Sequence, residues 1–314
     1  MILERPLAFL LPLARGEDVR LAQLALARAG LLRGEADGVF GPLTREAVLA
    51  FQRREGLPPD GTIEGATSDR LLGQPGLARP RPWTDALRPY LARLQAPHGP
   101  PTGQGRQRWR LVATGISVEG EETPRRSPGA PRTAASCWAQ HRAALEAAAQ
   151  RFGVPVELLI ATACTESGGR SGAVREEPGY LDDAATPHRV SPGLMQTLIS
   201  TAREALGDRT LDRARLLDPM VSAMAGAAYI RRQARAARLP TGYDPPLVAI
   251  AYNAGSLRPT RDATDPWGLV QTRRGGGSWH ADSFAAFFGD ALAVLRDQPP
   301  SPETPCFGAL LPSA

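Results

Sequence analysis

The sequence predicts a mainly α protein with two helical domains, on three observations. Apolar residues recur at helical spacing over residues 17–72 and again from Ser136 onward. Proline sits at the start of several of these runs and glycine at the end, the usual punctuation of helices. Between the two regions lies a stretch, 74–135, dense in Pro and Gly. A chain of 314 residues is too long for one small core and long enough to fold without disulfide staples.

The elements follow in order. Residues 17–29 place Val19, Leu21, Leu24 and Leu26 at helical spacing, and Gly30 ends that helix. A Gly-rich turn leads to Pro42, a good first helical residue, and Ala47, Val48 and Phe51 form the next stripe up to Gly56. A third short helix is predicted over 66–72. Two turns repeat: Asp37-Gly38-Val39-Phe40 precedes Thr44, and Asp60-Gly61-Thr62-Ile63 precedes Thr67 at the same spacing. Asp-Gly supplies a residue at positive φ, the next apolar side chain plugs the core, and a helix follows. The apolar run Leu7–Ala14 is interrupted by Pro12, has Glu4 before it and no small-x-small cleavage site after it. It is expected to open the first domain and is not a clear signal peptide.

Residues 74–135 read as a partly ordered linker, with a short helix over Trp83–Leu94 and a strand or hairpin arm over Trp109–Val118. From Ser136 the chain is helical: Trp138–Phe152 ending at Gly153, then a helix opened by Pro155. Two more are opened by Asp218-Pro219 and Asp244-Pro245, and the last is expected over Asp282–Arg296. After Pro299 a loose Pro-rich tail is expected. The predicted domains are 1–73, the linker 74–135, 136–298, and the tail 299–314.

Composition narrows the function. The net charge is +5, and all 37 basic residues are Arg. Such a chain suits an acidic partner, whether nucleic acid, anionic lipid or a wall polymer, and equally an ordinary basic protein. No apolar run reaches 18 residues, so no membrane span is expected. Cys137, Cys164 and Cys306 form no CxxC, and the four His have no metal-ligand spacing, so neither metal nor cofactor is expected.

The chemistry centres on Cys164-Thr165-Glu166-Ser167-Gly168-Gly169. Glu166 ends an apolar helix, where the negative end of the helix dipole and the apolar neighbours disfavour a charged carboxylate. That suits a general acid for glycosidic cleavage; alone, the motif fits a surface Glu beside a turn equally well. Two further motifs stand in order after it: Gly193-Leu194-Met195-Gln196 and Ala251-Tyr252-Asn253-Ala254-Gly255.

Residues 10–72 resemble the small three-helix peptidoglycan-binding domain. The resemblance rests on Gly16-Glu17-Asp18-Val19, Asp37-Gly38-Val39-Phe40-Gly41-Pro42-Leu43-Thr44, Ala47-Val48-Leu49-Ala50-Phe51-Gln52 and Gly56-Leu57-Pro58-Pro59-Asp60-Gly61. A minor departure is Ala22-Gln23, where the family often has Leu-Gln. With the Asp218-Pro219 helix and Gly226-Ala227-Ala228-Tyr229-Ile230, residues 137–297 resemble the catalytic domain of the soluble lytic transglycosylases. That resemblance implies an α-helical lysozyme-like domain and an overall endolysin-like architecture.

It further implies Glu166 as catalytic acid/base with Ser167 beside it. Met195 and Gln196 would face the glycan, and Tyr252 and Asn253 would form the opposite wall. The interval from Glu166 to the Gly-Leu-Met-Gln motif is longer than the family leads one to expect and carries an acidic run, 176–183. That run reads as a solvated loop or as the source of a second carboxylate such as Asp182, and Tyr180 could stack on a sugar. His280 reads as a helix-entry residue, with a cleft role open.

The expected activity is therefore lytic cleavage of peptidoglycan between N-acetylmuramic acid and N-acetylglucosamine, giving 1,6-anhydro ends. The rivals are a hydrolytic muramidase and a non-catalytic wall-binding or phage structural protein. The expected partner is the glycan strand, with no nucleic acid and no membrane insertion, and the chain is expected to be a monomer. It would act at the wall, periplasmic or extracellular, as a phage lysin or within a phage particle.

Overall fold

A computed structural model describes residues 5–72, 82–103, 105–273 and 277–311. The chain divides into two compact units, Met1–Pro80 and Arg81–Ala314. It is mainly α, as predicted. The boundary placed at 73/74 lies outside the described residues. Among those described, no helix is long and apolar enough to cross a membrane.

The first unit holds α1 (Glu17–Arg28), α2 (Pro42–Arg54) and α3 (Gly65–Leu72). Leu7, Val19, Leu26, Phe40, Val48 and Ile63 are fully buried at its centre. The Leu7 run belongs to this core, because Leu7 pairs with Ile63 through backbone bonds of 3.2 and 2.8 Å. The buried face of α1 is Val19, Ala22, Gln23 and Leu26, while Leu21 and Leu24 are half-buried. The stripe is rotated because Gln23 has polar work inside. Its Nε2 donates to Asp37 Oδ1 (2.9 Å), Val39 O (3.0 Å) and Thr44 Oγ1 (3.0 Å), and its Oε1 accepts from Gly38 N–H (2.8 Å). Gln52 repeats the pattern with Asp60 (2.6 Å), Thr62 O (3.0 Å), Thr67 (3.1 Å) and Gly61 N–H (2.8 Å). Each Asp-Gly turn is thus locked to a helix by one buried amide, which satisfies backbone groups that burial would otherwise strand.

The second unit runs through α4 (Pro82–Gln95), the antiparallel hairpin β1 (Trp109–Val112) and β2 (Gly115–Val118), α5 (Arg132–Phe152) and α6 (Val156–Ser167). It continues with β3 (Val174–Glu176) paired to β4 (Val190–Pro192), α7 (Ile199–Leu206), α8 (Arg213–Leu216), α9 (Pro219–Ala234), α10 (Pro245–Ala254) and α11 (His280–Asp297). Helix α6 is its axis. Eleven of its twelve residues are buried, against α5, α9, α10 and α11. A helix apolar all round must be enclosed all round.

Two stretches read as loose are packed. In 82–135, Trp83, Leu87, Leu94, Trp109, Leu111 and Ile116 are buried. His98 Nε2 lies 2.7 Å from Asp244 Oδ2, and Trp109 Nε1–H donates to Asp244 Oδ1 (2.9 Å). Asp218 caps α9 with its side chain in the ordinary way, bonding Met220 N–H (2.7 Å). Asp244 makes no such cap bond on α10, because its carboxylate is taken by these two rings. In the tail, Cys306 and Phe307 are buried. Glu157, fully buried at the start of α6, accepts from Cys306 Sγ (3.0 Å) and Gly308 N–H (2.8 Å). Burial pushes the Glu157 carboxyl above its usual range. The three cysteines are free thiols and all buried.

Candidate active site

Glu166 is the one residue of α6 that escapes full burial. It stands one residue before the end of the helix, which Gly168 closes at φ 66. Gly168 and Gly169 N–H groups return to the carbonyls of Cys164 and Ala163, both at 3.1 Å, so the last turn is capped and held. A cleft of about 410 Å³ opens beside Glu166, lined also by Gln196, Thr197, Tyr229, Tyr252 and Asn253. Arg175, Glu177 and His188 line it from the β3–β4 region.

Backbone geometry at the Gly193–Gln196 turn sets that wall. Gly193 has φ +88, and a Cβ there would lie 1.9 Å from Leu216 O. Gln196 holds φ 49 without being glycine, a conformation that costs an ordinary residue about 1–2 kcal/mol. It is compensated by Gln196 Nε2, which donates to Ala173 O (3.0 Å) and Gly193 O (2.9 Å). Its Oε1 is left to accept from a ligand.

The other sequence-derived residues fall in different places. Ser167 is buried, and its hydroxyl is engaged with Ala163 O (3.0 Å) and Leu194 O (2.7 Å), so it ties α6 to the turn. Met195 is fully buried; its side chain fills the space that glycine at 226 leaves on α9, where a Cβ would come within 2.6 Å of Met195 Cε. Tyr252 lines the cleft, while its hydroxyl donates to Met195 O (2.9 Å) and accepts from Thr197 Oγ1 (2.7 Å). Burial, and then the neighbouring Glu166 charge, push the Tyr252 hydroxyl well above its ordinary pKa, so it is a fixed neutral donor. Asn253 Oδ1 accepts both Thr272 N–H (2.9 Å) and Thr272 Oγ1–H (2.7 Å), leaving its amide N–H groups as the donors it offers.

Tyr180 stands with Arg213 instead of lining the cleft beside Glu166. Its hydroxyl bonds Asp183 (2.7 Å) and accepts from Arg213 (2.7 Å), and the guanidinium lies 5.5 Å from its ring centroid. Asp182 caps its own turn through Ala184 and Ala185 N–H. Asp183 pairs with Arg213 at 2.8 Å, which holds its carboxyl below the usual range. Of the acidic run, Glu177 is the carboxylate that lines the cleft with Glu166, paired to Arg175 at 3.0 Å. His280 lies behind the cleft, its Nε2 3.1 Å from Glu166 Oε1. No local spacing pointed to Glu177 over its acidic neighbours, and none joined His280 to Glu166, since both relations are made by the fold.

A cleft-facing carboxyl set among amide, hydroxyl and aromatic groups is an arrangement suited to a glycan. Two family comparisons agree with that reading. Residues 15–71 match the family described as "Putative peptidoglycan binding domain", and residues 143–265 match the Transglycosylase SLT domain. The chain thus pairs a peptidoglycan-binding domain with an SLT domain, the architecture its motifs led one to expect.

Among curated relatives, the Localization factor PodJL of two Caulobacter vibrioides strains, NA1000/CB15N and ATCC 19089/CIP 103742/CB 15, is 40% identical over 60 residues. That match covers 19% of this chain and 6% of each relative, so it spans a small part of their length. Among solved structures, the Burkholderia AP3 phage endolysin is 20% identical, over 79% of this chain and 85% of that one, with a TM-score of 0.22.

Proposed function

We propose that the second unit is a lytic transglycosylase that cuts peptidoglycan glycan strands between N-acetylmuramic acid and N-acetylglucosamine, and that the first unit docks the enzyme on the wall. The observation that carries this is Glu166, a single cleft-facing carboxyl on an otherwise buried helix within the stretch matched to the SLT domain.

In this reading Glu166 gives its proton to the glycosidic oxygen as the bond to the muramic C1 breaks. The substrate's own acetamido oxygen bonds C1 as the leaving sugar departs. The Glu166 carboxylate then takes the proton of the C6 hydroxyl, whose oxygen attacks C1 and releases the acetamido group. The product ends in a 1,6-anhydro sugar, no water is consumed, and the proton returns to Glu166. Gln196 Oε1 and the Asn253 amide N–H groups suit the N–H and C=O of N-acetyl groups. The enzyme would work as a monomer on the periplasmic or extracellular wall, and release as a phage lysin fits this architecture.

The test is Glu166→Gln, an amide of nearly the same shape that cannot cycle a proton. A folded Glu166→Gln chain is expected to leave peptidoglycan uncut, and a folded variant that still lyses walls at more than a few per cent of the wild-type rate would overturn the assignment. One observation favours a second reading, hydrolysis: Glu177 shares the cleft with Glu166. If Glu177 activated water, Glu177→Gln would lower the rate by roughly 10²–10⁴, and products formed in labelled water would carry one new oxygen at the muramic end. Unlabelled anhydro ends from both wild type and Glu177→Gln are the result expected here.

A further inference from the structure

We infer that His280 is a positioning residue for Glu166, placed against the proposed acid/base carboxyl from behind the cleft. His280 is 1% exposed and its Nε2 lies 3.1 Å from Glu166 Oε1, close enough for an ion pair though not aligned as a hydrogen bond. It lies beyond residues 143–265, the stretch matched to the SLT domain.

A buried imidazole is a costly way to fill space, because an apolar side chain would do so without removing a polar ring from water. Its value lies in where it is held. His280 is the first residue of α11, and that helix start is braced on several sides. His280 N–H donates to Thr272 O (3.1 Å), and Ala281 N–H to Gln271 Oε1 (2.9 Å). Asp282 closes a capping box on Trp279 N–H (2.9 Å) and also accepts from Trp267 Nε1–H (2.8 Å) and from Arg125. Thr272 in turn holds Asn253 (2.7 Å), so one segment sets both the cleft wall and the imidazole.

The consequence concerns orientation. A glutamate has three rotatable side-chain bonds, and in the proposed reaction one carboxyl must meet the glycosidic oxygen and then the C6 hydroxyl. Fixing one oxygen from behind leaves the other presented to the glycan, a gain realised in the transition state and therefore in kcat.

The inference rests on the transglycosylase reading, so wild-type product analysis comes first: anhydro-ended fragments support that reading and their absence defeats it. On the full chain, His280→Leu is expected to lower kcat on soluble glycan fragments by about tenfold or more with KM within about twofold. His280→Gln, whose Nε2 reaches a similar point, is expected to recover most of that loss. A folded His280→Leu chain with wild-type kcat, or a loss that Gln does not relieve, overturns the inference. The contact itself is read without activity: the ring ¹⁵N resonances of His280 are expected to shift in Glu166→Gln. Unchanged resonances would overturn it even where His280→Leu fails to fold or the wild type proves inactive.

Discussion

Gly193 bears more of the cleft's geometry than any side chain in the turn. Its φ of +88 is open to glycine at no cost, and a Cβ would meet a backbone oxygen, Leu216 O, at 1.9 Å. Backbone cannot swing aside as a flexible side chain can. Gly193→Ala is therefore expected to destabilise the second unit by about 3 kcal/mol or more, the class of loss seen where a strained φ and a clash coincide. For a domain of this size that lowers Tm by roughly 6–12 °C, measurable by calorimetry. A variant that melts with the wild type would mean that the α8–α9 junction yields freely. Gly226 poses a softer constraint, since its would-be Cβ meets the Met195 side chain, with Cε at 2.6 Å. Met195, expected to face the glycan, is fully buried, and its neighbourhood makes it packing beneath Gln196.

At the scale of elements, the repeated turn–helix unit of the first domain and the brace on α10 each turn on one polar side chain. Gln52→Leu would strand Gly61 N–H and Thr62 C=O inside the unit. The expected cost is about 2–4 kcal/mol, read by denaturant unfolding of residues 1–80. The Asp-Gly and Thr positions of this repeat were legible because their spacing is the same in both copies. The glutamines were not, because Gln23 stands 14 residues before its Asp and Gln52 only 8 before its own.

The brace on α10 was hidden for a related reason. His98 and Trp109 reach Asp244 across separations of 146 and 135 residues, and no local pattern reports such contacts. Burial opposes the charged form of His98, but the hydrogen bond and charge of Asp244 outweigh it and raise its pKa. A raised folded pKa means that stabilisation is fully present below the unfolded value of about 6.5 and is lost as pH rises through the folded one. His98→Gln is thus expected to lower Tm most in mildly acid buffer, with the gap to wild type narrowing in alkali. A gap that widens with pH would reverse the sign of the His98–Asp244 coupling.

For the molecule as a whole, what matters is where the folded second unit begins. The density of Pro and Gly over 74–135 reads as a linker because composition averages over a window, and the few large apolar residues in it are diluted. Among the described residues most of them are buried, and the segment also supplies partners to buried acids elsewhere. Ser127 Oγ donates to the fully buried Asp290 (2.5 Å), and His98 and Trp109 hold Asp244. A fragment of residues 136–314 keeps every motif of the site yet leaves these carboxylates in the interior without their partners. Each such loss costs several kcal/mol, and together they match or exceed the roughly 5–15 kcal/mol by which a domain is stable. Residues 81–314 are expected to unfold cooperatively and to cut soluble glycan fragments at close to the full-chain rate. Residues 136–314 are expected to show no cooperative transition and no activity. On whole walls, 81–314 should fall behind the full chain, because the first unit raises the local concentration of substrate without entering the chemistry. Equal rates on whole walls would remove that targeting role, and a cooperative, active 136–314 fragment would return the segment to the status of a linker.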